Sequence, residues 1–181
     1  LNIKSLVGGL VVAAIIVGVI VFVTTATARP YPNMTDKDIE AQTKVADSKK
    51  VPVPEYLAIQ DVVIMLDRNA KADLSDTQWK TTVAATNSLE PQIRAQGVTV
   101  LRYTWKGEHA TESAKIDKKI ASDDLDPNVR ALALVQLYRH GDPDAKKIAA
   151  VNIKKDTVNP LETDICKGIL DGTMPMTVPK H

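Results

Sequence analysis

Hydrophobic positions along this chain follow two different rules. Residues 5–28 carry no charge, and residues 6–23 are a dense apolar run. Beyond Arg29 the apolar residues recur three and four apart and are separated by charged ones, which is the spacing of a helix with one buried face. As a helix, residues 5–28 would be ~36 Å long, enough to cross a hydrocarbon core of ~30 Å. The pattern therefore predicts a membrane span followed by a helical domain.

The repeat inside that domain is its strongest signal. Residues 126–140 read Asp-Pro-Asn-Val-Arg-Ala-Leu-Ala-Leu-Val-Gln-Leu-Tyr-Arg-His. The same order (acid, Pro, polar, β-branched, Arg, Ala) begins 36 residues earlier at Glu90-Pro-Gln-Ile-Arg-Ala. A period of this size is what stacked helical hairpins leave in a sequence. Residues 98–105 alone resemble a strand, being β-branched and aromatic. The second copy decides for helix, because Val129, Leu132, Ala133, Gln136 and Leu137 share one helical face. A first-turn proline costs nothing, since its missing N–H would be unpaired there. The acid before it, Glu90 or Asp126, is placed to cap the helix.

The remaining segments fit the same scheme. Arg29-Pro-Tyr-Pro-Asn predicts an extended exit from the bilayer. Thr35-Asp-Lys-Asp38 is close to a capping box and opens a polar helix to about residue 49, expected as a surface strut within a linker at 29–54. Residues 55–69 read as a buried helix and repeat the Pro-to-aliphatic spacing without the Arg, as a degenerate end unit would. Helices are expected over 76–89, over 111–120, from Asp142-Pro143 to Ile153, and from Asn159-Pro160 to Leu170. Helix-breaking residues then predict an extended tail at 171–181. The boundaries are thus 1–28 span, 29–54 linker, 55–170 helical domain and 171–181 tail.

Asp126-Pro-Asn-Val-Arg130, with Ala131, Ala133 and Leu137 after it, resembles the inner-helix signature of HEAT repeats, in particular the short bacterial form related to phycobilisome-lyase repeats. Glu90-Pro-Gln-Ile-Arg94 matches nearly as well, and the resemblance covers roughly residues 74–170. It implies a short HEAT-like α-hairpin solenoid, and with the apolar run before it the expected fold is all-α: an N-terminal transmembrane helix followed by that solenoid. It also implies that Glu90, Arg94, Asp126 and Arg130 form a structural ladder between units. The unit at 159–170 departs from the pattern, with Thr163 where the Arg belongs.

Within the span, Gly9 and Ala13, and Ala14 and Gly18, are small residues four apart, a spacing that lets another membrane helix approach closely. Gly and Ala are also simply common in such helices. Ala26-Thr27-Ala28 resembles a signal cleavage site, but the apolar run is longer than a usual signal core, so a retained signal-anchor is expected. Lys4 on one side and Arg29 and Lys37 on the other do not decide orientation. The signal-like order favours an inner or intracytoplasmic membrane with the C-terminal domain on the periplasmic side.

Charge narrows the partners. Lys4 is the only charged residue before Arg29, which leaves 22 basic and 22 acidic residues in 29–181. A formally neutral domain has no electrostatic footprint for nucleic acid and no basic cluster for anionic lipid. Cys166 is the only cysteine, so no internal disulfide can form, and a small buried hydrophobe is its plain reading.

Candidate chemistry is sparse. Asp124-Leu-Asp126-Pro-Asn128 begins like a calcium loop but has Val129 where Gly is required and Val135 where a bidentate Glu belongs. His109, His140 and His181 are far apart in the chain. Asn33-Met-Thr35 matches the glycosylation sequon at the level of chance. Gly172-Thr-Met-Pro175 echoes a haem axial-ligand loop, yet no Cys-x-x-Cys-His accompanies it. Neither a phosphate loop nor a nucleophile elbow occurs. The expectation is a non-enzyme without catalytic residues, cofactor, metal or small-molecule substrate. Its partners are the lipid bilayer and other subunits of a membrane complex, of the respiratory or photosynthetic electron-transfer kind by analogy. The alternative is a free tethered binding module or assembly factor.

Overall fold

The computed structural model describes residues 30–175. The expected membrane span, its small residues Gly9, Ala13, Ala14 and Gly18, and the tail beyond 175 lie outside the described residues. Among the described residues no helix is long and apolar enough to cross a membrane. The chain divides into two units between Pro32 and Asn33, and the second contains the helical stack.

Eight α-helices and no strand occur among the described residues. They are α1 (Asp36–Lys49), α2 (Val53–Arg68), α3 (Asp76–Thr86), α4 (Pro91–Thr104), α5 (Ala110–Asp123), α6 (Pro127–Arg139), α7 (Ala145–Asn152) and α8 (Pro160–Leu170). Each start has a local cause. Thr35 and Asp38 cap each other reciprocally at α1, and Ser75 and Gln78 do the same at α3. Asp126 accepts from the Asn128 and Val129 amides at α6, and Asn159 accepts from Glu162 N at α8. Proline occupies the first turn of α2, α4, α6 and α8. Glu90 differs from expectation: it stands at the cap position of α4, but its side chain makes no capping hydrogen bond.

Consecutive helices pack as pairs: α1 with α2, α3 with α4, α5 with α6, and α7 with α8. The second members α2, α4, α6 and α8 then pack against one another in series. This arrangement is solenoid-like. The polar helix α1 belongs to it, contrary to the linker boundary expected at 54. One buried face suffices for an outer helix, and α1 has it in Ala46, supported by fully buried Met34 before the helix and Val51 after it. The chain enters the stack at Asn33, whose main-chain N–H and side-chain amide both donate to the buried Asp61 carboxylate at 2.8 and 2.7 Å. Arg68 donates to the Asn33 carbonyl. The Asn33 side chain is therefore occupied within the fold.

Two apolar clusters fill the stack, and α4 serves both. Ile93 and Val100 face the N-terminal cluster with Ile59, Val62 and Leu66, while Val98 faces the C-terminal one with Leu134, Leu137 and Ile169. An inner helix buried on two sides needs consecutive apolar residues, which is why 98–101 looks strand-like in sequence. Units are also tied by buried amides: Gln136 Nε2 donates to the Val98 carbonyl and Asn152 Nδ2 to the Ala121 carbonyl, both at 2.7 Å.

Gly97 lets α3 and α4 approach closely. A Cβ there would lie 2.8 Å from both Thr86 Cγ2 and the Thr86 amide nitrogen. Ala133, its counterpart 36 residues on, carries its Cβ fully buried. Gly97→Ala should therefore destabilise by roughly 1–3 kcal/mol despite alanine's better helix propensity, because α3 must shift. Urea unfolding checks this, and an unchanged midpoint would show that the interface yields freely.

Candidate functional site

The repeat signature builds a ladder, with different acids from those expected. Arg94 Nε and Nη2 grip the Asp124 carboxylate at 2.7 and 2.8 Å. Arg130 Nε and Nη2 grip Glu162 at 2.8 and 2.6 Å. Each arginine thus reaches the following unit bidentately, the strong geometry for a guanidinium and a carboxylate. Glu90 takes part in neither pair. Asp126 acts on its own helix as the cap. Burial grades the two rungs: the Arg94 and Asp124 side chains are 14% and 5% exposed, and those of Arg130 and Glu162 are 2% and 0%. Thr163, where a third Arg would stand, donates to the Asn159 carbonyl of its own helix. The ladder ends there.

The third guanidinium nitrogen has a separate task. Arg94 Nη1 donates to the Ser88 and Leu89 carbonyls, each at 2.9 Å. Arg130 Nη1 donates to those of Asp124 and Leu125 at 2.7 and 3.3 Å. In both copies the arginine holds the loop before its own helix at the residues five and six places upstream. The leucine at each of these loops points away from the core: Leu89 is 93% exposed and Leu125 88%. Beside Leu89 opens a cleft of about 590 Å³ between α2, α3 and α4, with Ala58, Ala84, Ala85, Glu55 and Glu90 among its lining residues. A smaller cleft of about 240 Å³ continues between the starts of α4 and α6, with Glu90 and Asp126 among its lining residues.

A second polar cluster lies where α4 ends against α5. Trp105 Nε1 donates to Asp117 Oδ2 at 2.9 Å, and Thr104 Oγ1 lies 2.6 Å from Ser113 Oγ. The Trp105 ring stacks on His140 with centroids 4.3 Å apart. Asp117 is fully buried and its Oδ1 meets no hydrogen-bond partner. Burial pushes its carboxyl up to about 8, with the indole N–H acting in the opposite direction. His140 is held below the ordinary imidazole value, first by burial and then by Lys106. His109 stacks in the same way on Trp79, with centroids 4.0 Å apart. The two described histidines thus serve as flat packing partners for tryptophans. No spacing rule in the sequence pairs them, because each contact joins different helices.

The calcium-like segment is fully engaged. Asp124 holds Arg94 and the Asp126 N–H, Asp126 caps α6, and Asn128 Oδ1 accepts from Asn159 Nδ2. Among the described residues no group of three or more His, Cys, Asp or Glu is gathered as for a metal. Met174, in the haem-like motif, packs against the C-terminal core after Gly172 turns the chain at φ 71°. Cys166 is fully buried, and burial followed by the neighbouring Glu162 charge pushes its thiol up to about 11. Iodoacetamide at pH 8 should leave the folded protein unlabelled and label it only in denaturant, since the thiolate is the nucleophile. Labelling without denaturant at the rate of a free thiol would contradict this burial.

No family model matches this chain, and no curated protein or solved structure does so either.

Proposed function

We propose that the chain is a non-catalytic, membrane-anchored accessory or scaffold subunit, with residues 1–28 as the anchor and a HEAT-like stack as the part that braces an extramembrane subunit of a larger integral-membrane complex. One observation supports this reading above the others. The most deeply buried ion pair among the described residues, Arg130–Glu162, joins unit to unit inside the stack, whereas a leucine is left outward at each of the two arginine-held loops. Buried charge used for stacking and apolar side chains held outward suit a prop with a binding edge. Respiratory or photosynthetic electron-transfer assemblies of an inner or intracytoplasmic membrane, with the helical domain on the periplasmic side, are the hosts proposed by analogy.

Gentle solubilisation of source membranes, native purification and mass spectrometry of what co-migrates test the proposal. A stoichiometric integral-membrane partner is the expected result. Migration of the chain alone would overturn it. Substoichiometric recovery with several partners would instead favour the second reading, a free tethered binding module or assembly factor, for which the same exposed leucines are the motivating observation.

A further inference from the structure

Large apolar side chains that are almost wholly exposed are common singly on protein surfaces. Leu89 and Leu125 differ because the same device presents both. Each follows an outer helix, precedes the Pro of an inner helix by two residues, and has its carbonyl hydrogen-bonded by an arginine of that inner helix. The arginines are in turn clamped by Asp124 and Glu162. The loops are therefore fixed to the core, and their leucines are displayed on a rigid mount. Covering such side chains removes apolar surface from water, so a partner that covers both gains without having to order the loops.

The charges around them define the partner. Neither cleft along this edge has a lysine or arginine among its lining residues, whereas Glu55, Glu90 and Asp126 all contribute to them. We infer that the edge formed by the starts of the inner helices is a docking surface for a basic, apolar polypeptide segment of a partner protein, which seats aliphatic side chains against Leu89 and Leu125 and sets Lys or Arg beside Glu55 and Glu90. Adjacent packed helices lie about 8–10 Å apart, close to the ~10.5 Å between residues i and i+7 of a helix. A partner helix with leucines seven apart therefore matches the mount. The cleft beside Leu89, with its small alanine side chains, leaves room for the first of them. An anionic lipid surface is disfavoured by the same three carboxylates, and a small ligand would not use two leucines on successive units.

This inference rests on the scaffold reading and names the chemistry of its contact. The probe is a fluorescent amphipathic peptide of Leu and Lys with leucines seven apart, titrated against the full chain in detergent, beside a twin carrying Glu for Lys. The Lys peptide is expected to bind and the Glu twin not to. Leu89→Ser with Leu125→Ser should weaken binding at least about tenfold, and Glu55→Gln with Glu90→Gln severalfold with loss of salt sensitivity. Unchanged circular dichroism and melting temperature would confirm that these exposed substitutions leave the fold intact. Equal binding of both peptides, binding indifferent to the leucine pair, or concentration-dependent dimerisation abolished by the leucine pair would each overturn the assignment. The wild type and the leucine variant are then purified natively from membranes. A variant that retains the wild type's partner shows that the edge is wrong while the scaffold reading stands. Absence of any partner from the wild type defeats the scaffold reading itself.

Discussion

Arg130→Met is expected to destabilise the domain by about 3–5 kcal/mol, a fall in melting temperature on the order of 10 °C. The substitution removes the partner of Glu162, whose side chain is completely buried. A carboxylate left there must either remain charged without a counter-ion or take up a proton, and both are costly. The change also frees the Asp124 and Leu125 carbonyls that Nη1 holds. Glu162→Leu alone should cost a similar amount, because it strands the guanidinium instead. Arg130→Met with Glu162→Leu should recover much of the loss, since an ion pair in this setting is balanced against the desolvation of both charges. Thermal and urea unfolding of the three variants measure this. A double variant no more stable than the singles would show that the arginine's backbone contacts, and not its pairing, carry the effect. Arg94→Met should be milder. Its partner Asp124 keeps the Asp126 N–H, and the arginine is closer to water.

The two arginines also mark the boundary of what local sequence can reveal. Arg94 and Arg130 stand out because they recur in one motif with a proline in front, so their shared role is legible. Their partners are not. Of the acids that recur with them, Asp126 caps its own helix and Glu90 makes no capping bond, whereas the acids that answer the arginines lie 30 and 32 residues on and outside the motif. Pair identity depends on how units stack, and stacking distance is not encoded in local spacing. Helices are legible for the same reason that the motif is: caps such as Thr35 with Asp38 and first-turn prolines act within four residues. The polarity of α1 conceals its place in the stack, because a single Ala46 facing α2 leaves little periodic signal. The candidate docking edge is equally hidden. Leu89 and Leu125 are apolar, so pattern alone would place them in the core, and only the arginine-held loops turn them outward.

The buried Asp117 should make the fold lose stability as pH rises towards about 8. Its folded-state value of about 8 lies far above the ordinary carboxyl value of 3.8, so the folded protein binds a proton that the unfolded chain has already released. The stability this group contributes is complete below pH 3.8 and is lost progressively as pH rises towards about 8. His140, stacked on the same indole, works in the other direction, since a lowered imidazole value favours the folded state's neutral form. Its contribution is present above the ordinary 6.5 and is lost as pH falls through the depressed value. The two effects oppose each other below 6.5, so the interval from there to about 8 isolates Asp117. Stability should fall across it by roughly 1 kcal/mol per pH unit, the limit for one proton being about 1.4 kcal/mol. Asp117→Asn keeps an acceptor oxygen for Trp105 Nε1–H and removes the titration, so its slope over the same interval should vanish whatever its absolute stability. Urea unfolding followed by tryptophan fluorescence reads both curves. A wild-type profile that is flat or rises there, or a slope that survives in the Asn variant, would mean that water reaches Asp117 Oδ1 and the carboxylate stays ionised within the fold.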